Sequence, residues 1–383
     1  MELFALHLNG RGQLPAPRTA LDPLFQRDGV AEALGSESAI TFEPGGQIEF
    51  STEPQPATAQ LESSIERDVS AARAALDGSD VVFIACGTDP FPGRITWPLA
   101  VDSPRYRVME EHFDALGPRG RQMMRQTSAL QICVETSPAA IHDTWLVLNR
   151  AGPALSALFA NSPVLAGTRS GEANERLSVW LDTDSSRTGF DGAQIGTGDP
   201  IDAYTRFAVD ALAMPLPRNG RSQPTPGTLS FAEWLALTPE ADDDDVEHHL
   251  STLFPPVRPR GAYLEVRYVD ALPLRWAAVA LLVLTTLAHD DRARRKALDV
   301  LPADACSFQA WQNAIRYGIR DRALAERGAL LLDIVIEALT AADGSPSRRV
   351  QQYRERFLDA GRAPGDDLDD LLRLEPAKVA TWI

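Results

Sequence analysis

Residues 40–52 read ITFEPGGQIEFST, and the way this stretch folds decides how the rest of the chain is read. Ile48 and Phe50 alternate with Gln47, Glu49 and Ser51, the two-residue period of a strand with one apolar face. Pro44-Gly45-Gly46 marks a turn, and Glu43 and Glu49 stand on either side of it. A strand that carries an amide, an acid and a hydroxyl on one face meets bulk water or lines a wet, charged cavity. The sequence of this stretch alone leaves both open.

The same habit recurs along the chain. Residues 128–135, SALQICVE, set Leu130, Ile132 and Val134 against Gln131, Cys133 and Glu135. Residues 263–268, YLEVRY, set Leu264 and Val266 against Glu265 and Arg267. A further strand is expected at 2–8, and the run VVFIACG at 81–87 suits a strand buried on both faces. Helices are expected at 23–34, 63–76, 105–116 and 138–159. From 274 the pattern is helical to 339, with one more helix near 350–360. Residues 210–226, rich in Pro, Gly and Arg, read as loop. The organisation is α+β: a strand-rich 1–270 and a helical 271–383, taken together as a single domain over 1–383.

Composition narrows the function. The chain has 383 residues and a formal charge of −16, from 53 acidic and 37 basic residues. That balance excludes a general nucleic-acid binder, which needs a basic footprint. A small anionic substrate remains compatible, because local charge can oppose net charge. The longest apolar run, WAAVALLVLTTL at 276–287, falls short of the roughly 20 residues that cross a bilayer, so it reads as a buried helix and no membrane role is expected. The N-terminal residues carry no secretory pattern, and Cys86, Cys133 and Cys306 are too scattered for a disulfide framework, which fits a reducing cytoplasm. The run Asp242–Asp245 reads as a solvated helix cap. Oligomeric state is not set by any of these features.

The standard catalytic motifs are absent: no Walker loop, no dinucleotide fingerprint, no zinc-protease or hydrolase signature. His248 and His249 are adjacent and would diverge by about 100° on a helix, so they make a poor metal pair. What remains is the set of polar strand faces: Glu2; Glu43, Gln47 and Glu49; Gln131; Glu265 and Arg267. Carboxylates with an amide suit a hard cation such as Mg2+, which in turn clamps nucleotide phosphates. Each strand taken alone fits equally well an antiparallel sheet with one solvated face. Arg105, Arg107, Arg176, Arg187 and Arg258 form a second theme, surface charges or contacts to anionic ligands.

Taken in order, TFEPGGQIE, RYRVME, MMRQTSALQI, ANSPVLAG, ERLSVWLDTDSSRTG and HLSTLFPPVRPRGAYLEVRYVD resemble the plant and bacterial type of glutamate–cysteine ligase. HLSTLFPPVRP followed by YLEVRY is most similar to the actinobacterial branch that begins ergothioneine biosynthesis. The resemblance implies a glutamine-synthetase-like fold, a curved antiparallel sheet forming a funnel with helices outside. It implies ATP-dependent joining of the glutamate γ-carboxyl to the cysteine amine through a γ-glutamyl phosphate, with Mg2+ on the ATP phosphates. By the same resemblance Glu2, Glu43, Glu49, Gln131 and Glu265 are the expected Mg2+–ATP ligands, with Gln47 facing the funnel beside them. The Pro-Gly-Gly turn would bring backbone close to the ligands. Arg267 is an expected phosphate contact and Arg176 a catalytic partner to it. Arg176, Trp180, Thr127 and Arg187 are expected around glutamate.

Three positions depart from the family pattern. Family members usually start the first strand with Glu-x-Glu, whereas Met1 stands before Glu2 here. The usual Gln-Val/Ile-Asn is Gln131-Ile132-Cys133, and a thiol is a softer, poorer ligand for Mg2+. The second Arg or His expected before the tryptophan is Ser178. The alternatives left open are another amino acid or amine as acceptor, and a non-catalytic nucleotide-binding homologue.

Overall fold

Strand β1 (Glu2–Asn9) is the hub of the first sheet. Around it stand β2 (Gly12–Pro15), β3 (Ala39–Phe42), β4 (Ile48–Ser51) and β5 (Val81–Ile84), in the order β2-β1-β4-β3, with β5 also paired to β1. All of these pairings are antiparallel. The structure is a computed structural model describing residues 1–383 except 10–11, 27–28, 190–194, 196–198, 219–223, 226 and 343, and except the side chains of 9, 12, 13 and 31.

Residues 40–52 form a hairpin of β3 and β4. Ile48 and Phe50 are buried, Glu49 is half-buried and Ser51 is exposed, as the alternation requires. The turn closes through Glu43 N–H to Gln47 O at 2.9 Å and Gly46 N–H to Glu43 O at 2.8 Å. Gly46 has φ +80°, a conformation that glycine adopts without cost. Gly45 is required for a different reason. A Cβ there would lie 2.2 Å from the carbonyl oxygen of Arg125, so the turn packs directly on the backbone of the Arg119–Gln126 helix. The glycine pair thus brings the turn against protein, where a close approach to ligand was expected.

The second sheet holds β6 (Ile132–Glu135), β7 (Val257–Arg260) and β8 (Tyr263–Val266), antiparallel in the order β6-β8-β7. The segment before β6 joins the two sheets. Glu2 N–H donates to Ala129 O at 2.9 Å, and Ala129 bridges Asp270 on the far side. The start of β1 therefore lies beside the ends of β6 and β8, which is where the site forms.

Helices pack around this frame. Ile141–Leu158 is buried along almost its whole length and packs with Leu274–His289 and Arg322–Ala342 in the main hydrophobic cluster. Leu274–His289 is the buried helix read from the apolar run, and among the described residues no helix is long and apolar enough to cross a membrane. Thr58–Ala75 and Pro104–Leu116 match expectation. The helix expected at 23–34 is instead two pieces, Arg18–Phe25 and Val30–Ala33, and positions 27–28 lie outside the described residues.

Asp242 caps the Asp243–Ser251 helix in a capping box with Asp245, but Asp245 is buried rather than solvated. Part of the loop read at 210–226 lies outside the described residues; its described part, after the Pro200–Asp210 helix ends, carries no further helix. The late helix expected near 350–360 begins earlier, as Ser345–Tyr353, and runs on as a π-helical turn at Arg354–Leu358; Pro364–Leu374 is an additional helix. Helices and small antiparallel sheets together make the α+β class expected.

Candidate active site

Register builds the acidic centre. In the β1–β4 pairing Glu2 stands opposite Glu49, and in β3–β4 Thr41 stands opposite Glu49 from the other side. Glu43 enters from the turn after β3. One carboxylate oxygen from each of Glu2, Glu43 and Glu49 lies within 4.8 Å of the others. Their few donors are fixed ones. Thr41 Oγ1 donates to Glu49 Oε2 at 2.8 Å, and Ala129 N–H to Glu2 Oε2 at 2.8 Å. Gln131 Nε2 donates to Glu2 Oε1 at 2.8 Å, while the Tyr106 hydroxyl reaches Glu43 Oε2 at 3.4 Å.

Three carboxylates this close repel one another, and the protonation of the cluster records it. Desolvation, then the charges of Glu2 and Glu49, push Glu43 up to about 8, against the opposing pull of Arg105 and Arg267. Burial and then Glu49 raise Glu2 as well. Such a cluster holds a proton or a cation. An all-oxygen set drawn from rigid strands suits a hard divalent ion, so these residues fit Mg2+.

Beside the acids lies a cationic wall. Arg176, from the Glu175–Leu181 helix, is buried and donates from Nη2 to Arg267 O at 2.7 Å. Its Nη1 stands 3.6 Å from Asp270 Oδ1, and neither Nε nor Nη1 has a hydrogen-bond partner. Burial lowers the Arg176 pKa, while Asp270 and Glu2 act to raise it. Arg267 Nη1 donates to Gln131 Oε1 at 3.0 Å, and its Nε is buried and unpartnered. The Trp180 ring lies against both guanidiniums, 5.6 Å from Arg176 and 5.5 Å from Arg267, and packs edge-on to Phe254. Trp180 Nε1 donates to Thr127 Oγ1 at 3.2 Å, placing Thr127 on the same wall. Buried N–H groups without partners are rare, and on two adjacent cations they point to an anionic ligand.

The structure thus brings together Glu2, Glu43, Glu49, Gln131, Arg176, Arg267, Trp180 and Thr127. Of the other expected residues, Gln47 and Arg187 stand behind this group and Glu265 adjoins it through Arg267. Gln47 is buried, and its amide donates to Thr127 O at 2.8 Å and Met124 O at 3.3 Å, fastening the Arg119–Gln126 helix to the turn. Arg187 is fully buried in a separate network, at 3.0 Å from Asp184 Oδ2 and 2.7 Å from Thr252 Oγ1, with a further contact to Leu212 O. Glu265 has both oxygens engaged by Arg258 and Arg267.

Other contributors were legible only as generic surface charge or not at all. Arg105 is held by Ser251 Oγ and Ser251 O and bears on Glu43, and Tyr106 lies beneath it. Thr41 and Asp270 carry no motif of their own. A surface cleft of about 730 Å3 beside Arg275 and Trp382 lies away from this chemistry. A second, about 560 Å3, approaches the acids only at Arg105.

A rigid carboxylate cluster facing buried arginines with unpartnered N–H groups has the chemistry to hold a hard cation beside an anionic ligand. The chain belongs to the glutamate–cysteine ligase family 2 (GCS2), whose family model matches residues 13–378. It is 31% identical over 369 residues to "Glutamate--cysteine ligase EgtA" of Mycolicibacterium smegmatis, covering 93% of this chain and 83% of that protein. It is 32% identical over 357 residues to the EgtA ligase of Mycobacterium tuberculosis, covering 88% and 78%. It is also 28% identical over 362 residues to the chloroplastic glutamate–cysteine ligase of Arabidopsis thaliana, covering 90% and 66%. The protein is therefore a ligase of this family.

Proposed function

We propose that the protein joins the γ-carboxyl of glutamate to the amine of cysteine, with ATP, to give γ-glutamylcysteine for ergothioneine biosynthesis. The observation that carries this reading is the close pack of Glu2, Glu43 and Glu49 facing Arg176 and Arg267, whose buried N–H groups lack partners. Family membership and the EgtA relatives agree with it.

A carboxylate and an amine do not condense unaided in water, so the γ-carboxylate must first become a good acylating group, here a γ-glutamyl phosphate. Glu2, Glu43 and Glu49 would hold Mg2+, with Gln131 braced between Glu2 and Arg267 beside them. Bound Mg2+ supplies neutralisation of phosphate charge. Arg267 and Arg176 bind the transferred phosphoryl group and the substrate carboxylates, and Trp180 and Thr127 form the wall that keeps water from the acyl phosphate. Gln47 serves this wall from behind through its contact to Thr127 O, and Arg187 supports it through its backbone carbonyl, which accepts from the N–H of Phe254 at 2.9 Å. The two sheets would be parts of one glutamine-synthetase-like funnel within a single domain over 1–383. The setting is cytoplasmic, consistent with the thiols of Cys86 and Cys133.

The test is ADP release from Mg-ATP and glutamate, with and without cysteine and with a panel of other amines, and product identification by mass spectrometry. Cysteine-dependent release with γ-glutamylcysteine as product supports the reading. Release with a different amine replaces the acceptor, and no release from folded protein refutes the ligase assignment.

A further inference from the structure

Asp270 lies just past the end of β8 and is fully buried. Its two carboxylate oxygens are used differently. Oδ2 accepts from Asn161 N–H at 2.7 Å and from Ser162 Oγ at 2.8 Å. Oδ1 has no hydrogen-bond partner and stands 3.6 Å from Arg176 Nη1. That separation is within ion-pair reach and too long for a hydrogen bond, so the carboxylate attracts the guanidinium without taking up that donor. Nε and Nη1 of Arg176 stay unpartnered, on a residue only 2% exposed.

Segments distant in the chain build the seat of this carboxylate. A Cβ on residue 87 would lie 2.5 Å from Asp270 Cγ and 2.7 and 2.8 Å from its oxygens, so the chain after β5 leaves room for the acid because Gly87 has no side chain. Gly87 N–H donates to Asn161 O at 2.8 Å, which fixes the segment that supplies both donors to Oδ2. Ser162 Oγ in turn accepts from Arg176 N–H at 3.1 Å. The same hydroxyl therefore ties the carboxylate to the backbone of the residue whose guanidinium it faces. Burial works against the charge of Arg176, and Asp270 is the strongest of the charges that favour it, ahead of Glu2. A buried guanidinium needs such a counter-charge, and here it comes from a group that spends its own hydrogen bonds elsewhere.

We infer that Asp270 is a positioning residue for the ligase reaction, holding the Arg176 guanidinium in place across an ion-pair gap and leaving Nε and Nη1 for a carboxylate of glutamate. The kinetic part of this inference rests on the ligase reading; the pairing of Asp270 with Arg176 does not.

The experiment compares the full-length protein with D270N, R176M, the double variant D270N/R176M and G87A, each checked for fold by circular dichroism. Asparagine is isosteric with aspartate, and its one carbonyl oxygen can accept from both Asn161 N–H and Ser162 Oγ. That choice turns its amide N–H groups towards Arg176 and replaces an attraction by donor against donor. In the ADP-release assay D270N should raise the KM for glutamate by about tenfold or more, while the KM for ATP moves by less than about threefold. A loss of packing alone would not single out one substrate. G87A, whose methyl displaces the carboxylate and leaves its charge, should shift the glutamate KM in the same direction. In urea unfolding D270N and R176M should each lower the midpoint, and the double variant should lose less than the two losses added together. An unchanged glutamate KM in D270N overturns the positioning role, as does an equal rise in both KM values, and additive midpoints overturn the pairing. Should D270N not fold, G87A decides the point by the same KM criteria. A wild-type protein that releases no ADP sinks the ligase reading, and the unfolding midpoints still decide the pairing.

Discussion

Strands β4 and β8 read alike in sequence, an acid flanked by buried aliphatic or aromatic residues, yet their acids have opposite fates. Glu49 faces Glu2 and Thr41 across the ladder, and Glu43 closes over it, so like charges accumulate. Glu265 faces Arg258 on one side and Cys133 on the other, with Arg267 two residues on. Desolvation pushes Glu2, Glu43 and Glu265 towards the neutral form. It prevails at Glu2 and Glu43, while at Glu265 Arg267 and Arg258 outweigh it and hold the pKa below the usual value. Acids gather into a candidate cation site where the neighbouring strands bring more acid to a polar strand face.

The sharpest way to break this comparison is to neutralise one member of the cluster. Glu49→Gln is isosteric and lies on a wet face, so the fold should persist, while turnover should fall by about 100-fold or more as the metal site weakens. ADP-release kinetics check it, and near-normal turnover would remove the cluster from the chemistry. Next in size is an effect on the frame. Arg94 is fully buried, paired to Asp89 at 2.6 Å, and donates to Gly45 O at 2.8 Å and Ala5 O at 3.2 Å, tying the turn that carries Glu43 to β1. Arg94→Met leaves Asp89 buried without its partner and should cost about 3–5 kcal/mol in urea unfolding. A loss well below that range would mean the turn is held by Gly45 packing alone.

Protonation offers a third test. Glu43 titrates near 8 in the folded protein and near 4.5 when unfolded, so between these values the folded state binds more protons. By linkage, the metal-free protein should lose stability as pH rises through that window. Added Mg2+ should raise the thermal midpoint more near the upper end of the window than the lower, because there the cluster is giving up its proton and the cation no longer has to displace it. Glu43→Gln should flatten the metal-free slope. A slope unchanged by Glu43→Gln would place the titration elsewhere.

Sequence periodicity conveyed β1, β4, β5, β6 and β8, the buried Leu274–His289 helix and the acidic cap at Asp242, because each is a local pattern, while β2 and β7 went unread. Family resemblance then named Glu2, Glu43, Glu49, Gln131, Arg176 and Arg267 as one candidate site, and the fold brings them together. What stayed hidden was set by register and by contacts between segments distant in the chain. Nothing near residue 47 signals that its amide ends on the carbonyls of residues 124 and 127. Nothing near residue 187 signals that Asp184 and Thr252 enclose its guanidinium. Gly45 looked like room for a ligand and proved to be room for the Arg125 backbone. The pairing of Glu265 depended on which β7 residue would face it, and a slip of one residue would have turned Arg258 to the opposite face.

The smallest expected effect lies in the string Pro104-Arg105-Tyr106-Arg107, where two arginines of one helical turn invite the same reading. Arg105 is held by Ser251, stacks on Tyr106 and bears on Glu43. Arg107 points to solvent and pairs with Asp102, both side chains 59% exposed. That pairing holds the Arg107 pKa up and the Asp102 pKa down, yet exposed ion pairs contribute little because water screens them and ordering two long side chains opposes the gain. Arg107→Ala should leave both the thermal midpoint and kcat/KM at wild-type values, whereas Arg105→Ala should lower kcat/KM. Equal losses from the two would mean that Arg107 reaches the site in the working enzyme, and that the division between the charged surface and the cationic wall lies further out than this structure places it.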